Sequence, residues 1–427
     1  MKKKILVRGP ALSRSGYGEQ TRFALRSLRR YEENIDIFLL TTSWGATSWI
    51  TEDDEERQWI DQLLQKTITH SQSGGQYDVS LQVTIPGEWE ALAPVNIGYT
   101  AGVESTKISP PWLEKTYSVN KIIVPSQHAK QVFETTTWPA KHQGKVIQVG
   151  CKTPVEVVAF PAKQVEEEPL DLELETDFNF LSVAQISPRK NVFNMIKWFV
   201  DEFHDDATTG LVVKLSMAKN CHIDKVNTTT HLKNLLSEYP DRKCKVYLLH
   251  GTLSEGQMKS LYTNDKIKAI VTTTHGEGFG LPLFEAAQYG LPVVAPAWSG
   301  HKDFLYAPVV NKKTKKTKKR SLFTKVDYEL KPVQQEAVWE NVIIPQSLWC
   351  FPKQKSFTNA LRKVQKDHGL ARSNAKKLQK HVLETFSEEV QYDAFISALG
   401  LNLSKDENIE DVQAWFNELN KNVETHS

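Results

Sequence analysis

Short apolar runs punctuate the chain, and the stretches between them carry apolar residues at helical spacing. Ile5-Leu6-Val7 opens the series. Further runs lie at 36–40, 77–85, 96–100, 121–126 and 145–149, and then at 179–183, 211–217, 246–250, 269–272 and 293–295. Most lack the apolar–polar alternation of a half-exposed strand, as expected of strands covered on both faces. Between them, Phe23, Ala24, Leu25 and Leu28 mark a helix from Gln20 onward. Residues 53–64, 127–133, 192–203, 231–238 and 254–263 suggest further helices, and the chain is helical again from Ser356 to Phe395. Strand followed by helix, repeated, predicts an α/β chain with parallel sheets.

The series divides in two. Residues 161–177 are acidic, interrupted by proline and weakly periodic, which describes a linker. A length of 427 residues also calls for two domains. The expected organisation is a domain over 1–160, the linker at 161–177, a second domain over 178–390, and closing helices over 391–427 that could return to the first domain. Within the last segment, Val412, Trp415, Phe416 and Leu419 share one face of an expected helix at 411–419.

The most informative stretch runs from His275 to Gly290. Pro282 suits a first helical position, Gly290 suits a left-handed stop, and Pro292 prevents the helix from resuming. Gly276, Gly278 and Gly280 let a backbone approach a ligand closely. The N–H groups near Gly280, Phe279 and Leu281 open a helix and form an anion site. Glu277 in the turn and Glu285 in the helix would repel phosphates, but they can accept hydrogen bonds from sugar hydroxyls. An anionic centre with hydroxyls at both ends describes a nucleotide-sugar. The plain alternative is an ordinary strand–turn–helix with two solvated glutamates.

Three other features bear on chemistry. The loop at 8–19 holds Gly16-Tyr17-Gly18 and could cradle phosphate. A dinucleotide dehydrogenase fits poorly, because Thr21 stands where the third glycine belongs and Asp36 opens its strand instead of ending it. Arg189 and Lys190 precede the helix at 192–203, where cations oppose the helix dipole and a diphosphate would offset them. Trp44 and Trp49, in a loop after the second strand, either anchor the core or offer a stacking platform.

Composition changes the picture only locally. A net charge of +2 says little about partners, so any case for a polyanionic one rests on local patches. Lys312, Lys313, Lys315, Lys316, Lys318, Lys319 and Arg320, however, crowd into residues 311–320. Such a run is a solvated hairpin tip or a contact for a phosphate backbone. Arg22, Arg26, Arg29 and Arg30 are expected on the exposed side of the first helix, where they too could suit a nucleic acid. Cys151, Cys221, Cys244 and Cys350 are scattered and read as reduced core thiols. Cys221, His222, His231 and Cys244 match no standard metal spacing, so no metal is expected. No apolar run is long enough for export or for spanning a membrane, and a cytoplasmic protein without an integral membrane segment is expected.

The spacing of Glu277 and Glu285, with Gly-Phe-Gly-Leu-Pro between them, resembles the E-x7-E motif of retaining GT-B glycosyltransferases, family GT4. The likeness extends to Tyr99–Phe133, with its Pro110-Pro111-Trp112 and Val124-Pro125-Ser126. It implies a GT-B fold, two Rossmann-like domains facing across a cleft. It also implies a nucleotide-diphosphate sugar as co-substrate, with no further cofactor. By this likeness Glu277 meets the donor sugar and Glu285 the ribose, while Lys190 lies on the diphosphate. Gln185 stands where the family carries an arginine, and Arg189 would replace that charge. The loop with Arg14, Gly16, Tyr17, Gly18 and Glu19 would face donor phosphates and acceptor, and Glu104 would lie near the reacting sugar or cap the following helix. The chain has no D-x-D pair, which fits metal-independent transfer. The pattern is similar to members carried by tailed phages, some of which glycosylate hydroxymethylated bases. Double-stranded DNA is therefore the favoured acceptor, ahead of a surface polysaccharide or lipid-linked glycan. A nucleotide-sugar epimerase or a non-catalytic binder are the remaining readings.

Overall fold

Six strands of the first half lie side by side in the order Ile35–Thr41, Lys3–Gly9, Val79–Gln82, Val95–Tyr99, Lys121–Val124 and Val155–Val157, all parallel. Six strands of the second half do the same in the order Lys245–Leu249, Thr209–Ser216, Phe178–Gln185, Ile267–Val271, Val293–Pro296 and Thr324–Val326. Parallel neighbours need crossover connections, and the intervening helices supply them. Each sheet thus belongs to a Rossmann-like domain of the kind the GT-B expectation calls for. The computed structural model describes residues 2–310 and 314–400.

The chain forms two compact units. The first takes residues 2–161, then 338–347, and then the described residues from 388 onward. Its core joins Ile5, Val7, Phe23, Leu25, Leu28, Ile37, Leu81 and Ile97. The closing helix Glu388–Leu399 packs on the first helix, with Phe395 5.3 Å from Phe23 between ring centroids. The second unit takes 162–337 and 348–387. Its core gathers Phe180, Phe199, Phe203, Leu211, Val213 and Leu361. The acidic segment expected as a linker belongs to this unit from Ala162 on. Lys259 Nζ donates to the Val165 carbonyl at 2.8 Å, and Ser254 Oγ bonds Glu168 at 2.7 Å, so its backbone and side chains are tied to the helix Glu255–Thr263.

Several expectations need correction. The first helix begins at Gly16, not Gln20, so Gly16, Tyr17 and Gly18 form its first turn and not a loop. Ser15 caps it, its side chain accepting from the Gly18 N–H at 3.0 Å. A side chain on Gly18 would lie 1.9 Å from the Ser13 carbonyl oxygen, which explains the glycine by close approach to the preceding loop. The run at 145–149 is not a buried strand. Lys145–Gly150 pairs only with Thr137–His142 in an antiparallel hairpin, and Val146 is 66% exposed.

The first helix is no open cationic face either. Arg22 is buried, and Glu19 pairs with both Arg22 at 3.1 Å and Arg26 at 2.9 Å. Glu55 and Glu56 of the helix Glu55–Gln72 take Arg29 at 2.9 Å and Arg26 at 2.5 Å, and Asp393 takes Arg30 at 3.1 Å. Facing carboxylates from two neighbouring helices neutralise the row. Cys244 and Cys350 are buried thiols as expected, but Cys221 is exposed and Cys151 only partly covered.

The Ser15 cap gives a direct check. Ser15→Ala should lower the stability of the first unit by about 1 kcal/mol, the usual worth of an N-cap side chain. Denaturant unfolding followed by a first-unit probe reads it, and an unchanged midpoint would show that the cap is dispensable.

Candidate functional site

In the second sheet the strand order reverses between Phe178–Gln185 and Ile267–Val271, which lie side by side. In open parallel sheets ligands bind outside the carboxyl ends of the strands at such a reversal. The segment after the first of these strands holds Arg189 and Lys190. The segment after the second holds Glu277. The fold therefore brings together residues 87 positions apart in sequence.

The contacts there are close. Lys190 Nζ lies 2.6 Å from Glu277 Oε1, and Arg189 Nη1 lies 3.2 Å from Oε2. Arg189 also donates to the Gly276 carbonyl at 2.5 Å, and the Arg189 carbonyl accepts from the His275 N–H at 2.8 Å. Glu277 is buried. Burial alone would push its carboxyl up. Lys190, Arg189 and the Thr274 hydroxyl outweigh that and hold it down, from an ordinary 4.5 to about 2. Glu277 is thus an anion between two cations. Asn191, at φ +52°, ends the Pro188–Lys190 turn and starts the helix Val192–Phe203.

The glycine turn is built for close approach. Gly280 has φ +96°, a left-handed conformation that favours glycine, and it precedes the helix Leu281–Gln288. Phe279 points inward, 5.0 Å from Phe284 and 5.1 Å from Phe304 between centroids, and so anchors the turn. Gly290 takes φ +73° after the helix, as its sequence position suggested. Lys190, Thr272, Glu277, Gly280, Pro282 and Leu283 line a small cavity with Val183, Ile270 and Val271. Glu285 is not among the residues lining that cavity, and it accepts from the Tyr262 hydroxyl at 2.8 Å.

Sequence reasoning assigned no role to the residues that hold this turn. Ser299, at φ +71°, accepts from the Glu277 N–H at 2.9 Å, and the Gly300 N–H donates to the Glu277 carbonyl at 2.9 Å. A side chain on Gly300 would meet the Gly278 carbonyl oxygen at 2.0 Å, so two glycine segments are pressed together. His275 lies between Trp349 and Phe351, at 5.6 and 4.4 Å between centroids, with Nδ1 2.6 Å from the Cys350 carbonyl. His301 bonds the Pro296 carbonyl at 2.7 Å through Nε2. Burial pushes both imidazoles down, towards the neutral form. Only the Ser299-Gly300 pair hinted at such a turn in the sequence.

The residues expected on the acceptor side sit in the first unit. The Tyr17 hydroxyl is 2.6 Å from Thr100 Oγ1 and 3.1 Å from the Gly102 N–H, and burial pushes the phenol up. The Glu104 carboxylate adds to that shift. Ser109, not Glu104, caps the helix Pro110–Thr116, which removes the capping role considered for Glu104. Arg14 is paired with Glu52 and bonds the Trp49 carbonyl at 3.2 Å. Trp44 packs on Tyr17 at 4.0 Å between centroids, while Trp49 is 54% exposed. Gly16 has open space around it.

Thr317–Ser321, which carries the end of the basic run, pairs antiparallel with Tyr306–Val310 in the second unit. Lys315, Lys316, Lys318, Lys319 and Arg320 are exposed. Lys312 and Lys313 lie outside the described residues, as does the helix expected at 411–419. Gln185 donates to the Met217 carbonyl at 3.2 Å and so faces the neighbouring strand's end. Among the described residues no group of side chains could hold a metal ion, and no helix is long and apolar enough to cross a membrane.

The Glu277 ion pairs make stability depend on acid. Their contribution is present above the unfolded carboxyl value and lost as pH falls through the folded one. Melting of the unaltered chain should therefore weaken between pH 4.5 and about 2. Glu277→Gln should flatten melting temperature against pH in that window. Parallel curves for the two would remove the ion pairs from the account.

Comparison with known proteins bears on the fold. Residues 165–309 match the family model described as glycosyl transferases group 1. No curated protein matches the chain. Solved structures share the fold over nearly the whole chain. The Anabaena HepE structure in complex with UDP-glucose is 12% identical, with 93% of this chain and 99% of that one covered at a TM-score of 0.57. Sucrose-phosphate synthase from Thermosynechococcus elongatus is 14% identical, covering 93% and 98% at 0.59. A UDP-forming trehalose-phosphate synthase from Burkholderia xenovorans is 10% identical, covering 94% and 99% at 0.56. The chain has the GT-B fold, and the stretch that matches the glycosyl transferases group 1 model lies in its second unit.

Proposed function

We propose that the chain is a retaining, metal-independent glycosyltransferase of the GT4 kind that moves a sugar from a nucleotide-diphosphate donor to an acceptor hydroxyl. One observation carries the reading. Lys190 and Arg189 meet Glu277 at the strand-order reversal, beside the N–H groups that open the helix Leu281–Gln288. Three charges of this kind suit a ligand that is anionic in the middle and hydroxylated at its end.

In this reading the diphosphate lies at the turn, against Gly278, Gly280 and Leu281. Lys190 and Arg189 face its oxygens, and Glu277 accepts from hydroxyls of the sugar. The bond from the anomeric carbon to the phosphate oxygen breaks, and a bond to the acceptor oxygen forms on the same face. The nucleoside diphosphate leaves with the electron pair, and its released oxygen takes up the proton lost by the acceptor hydroxyl. Fixed cations and N–H dipoles near that oxygen stabilise the growing charge without reorganising. Glu277 plays a second part. Before the donor arrives it balances two partly buried cations, which would otherwise be costly to hold together. Glu285 serves the ribose. Arg14, Tyr17, Glu19 and Glu104 belong to the acceptor or sugar side.

For the acceptor we retain a hydroxymethylated base in duplex DNA, as in phage-borne enzymes. The exposed lysines of the hairpin at 306–321 support it. The arginines of the first helix no longer do, since facing carboxylates pair with them. That pairing favours a neutral glycan acceptor as the second reading.

The donor test is incubation with UDP-, GDP- and ADP-sugars, alone and with candidate acceptors, followed by mass spectrometry. At least one donor should be hydrolysed or used for transfer, and Glu277→Gln should reduce the rate at least a hundredfold, on the order of the loss of one electrostatic contact made in the transition state. Inertness towards all of them would leave a sugar-nucleotide binder, and an isomerised sugar without acceptor would mean an epimerase. For the acceptor, Lys318→Glu with Lys319→Glu should abolish a low-salt shift of duplex DNA in gels. No shift by the unaltered chain, even at low salt, would turn the acceptor towards a glycan.

A further inference from the structure

The second glutamate of the motif does not stand alone. Tyr262 sits on the helix Glu255–Thr263, and its hydroxyl donates to Glu285 Oε2 at 2.8 Å. Tyr262 is 2% exposed, so its ring is fixed by what surrounds it. Tyr289, which caps the helix carrying Glu285, stacks on it at 6.0 Å between centroids with 22° between planes. A buried phenol needs an acceptor, and an ionised one gives the stronger, shorter bond. Burial and the Glu285 charge both push the Tyr262 phenol up, and Tyr289 is pushed up to about 12, so both stay protonated at neutral pH.

We propose that Tyr262 is a positioning residue for Glu285: its hydroxyl fixes one carboxylate oxygen so that the group meets the ribose diol of a nucleotide in one orientation. The inference rests on the donor reading above. A glutamate on a partly exposed helix samples many rotamers, and ordering it on binding weakens affinity. A bond to a buried, stacked ring orders it beforehand. A carboxylate only accepts, and a vicinal diol offers two donors. Tyr262 takes one acceptor direction on Oε2 and so decides which way the group presents itself.

The test compares Tyr262→Phe, which keeps the stacked ring, with the unaltered chain by calorimetric titration. The probes are UDP, GDP and ADP and their 2′,3′-dideoxy forms. Tyr262→Phe should weaken whichever ribonucleotide the unaltered chain binds by about tenfold, the worth of one charge-assisted hydrogen bond. The dideoxy form should be unaffected. In a Glu285→Ala background, Tyr262→Phe should change neither. Equal weakening of both nucleotides, or the same loss in the Glu285→Ala background, would make Tyr262 merely structural and overturn the inference while the donor reading stands. If the unaltered chain binds none of the three ribonucleotides, the donor reading fails and this inference falls with it.

Discussion

A buried anion held between two cations is the constraint on which the site depends. Glu277, Lys190 and Arg189 come from segments that follow adjacent strands, and none could be covered without the others. Removing Glu277 would leave two partly buried cations without the anion between them, which costs several kcal/mol. The surrounding backbone is organised to keep the three together. The His275 N–H reaches the Arg189 carbonyl, Ser299 receives the Glu277 N–H, and Gly300 lies against Gly278. The loop is therefore rigid around a cluster whose charges suit a phosphate and a sugar.

The two halves of the molecule are related solutions to one packing problem. Each is a six-stranded parallel sheet with helices that cover it. They differ in strand order, and only the second reverses between its first and fourth strands in chain order. That reversal is where the charged cluster lies. In the first unit the corresponding chemistry is quieter. Tyr17, Thr100 and Gly102 form a neutral hydrogen-bonded group, and the Glu104 carboxylate adds to the upward shift of Tyr17.

Much of this was legible in the residues. Apolar runs such as 179–183 and 269–272 marked central strands, because a strand covered on both faces is apolar at nearly every position. Glycine and proline at 280, 282, 290 and 292 marked a turn and both ends of a helix, because those residues have few other conformations to prefer. What was not legible depended on partners distant in sequence. The run at 145–149 is as apolar as a core strand, yet it forms an exposed hairpin, since sequence does not say which strand it pairs with. The arginines of the first helix resembled a binding face, and only the packing of Glu55, Glu56 and Asp393 against them removed it. Tyr262 carried no signal, because a tyrosine in a helix is common and the contact is made in three dimensions.

The most direct measurement is a crystal structure of the chain soaked with a UDP-, GDP- or ADP-sugar. The account predicts diphosphate oxygens on the N–H groups at Gly280 and Leu281 and on Lys190, with Glu277 on the sugar and Glu285 on the ribose. An activated sugar bound elsewhere on the chain, or a ribose turned away from Glu285, would contradict it.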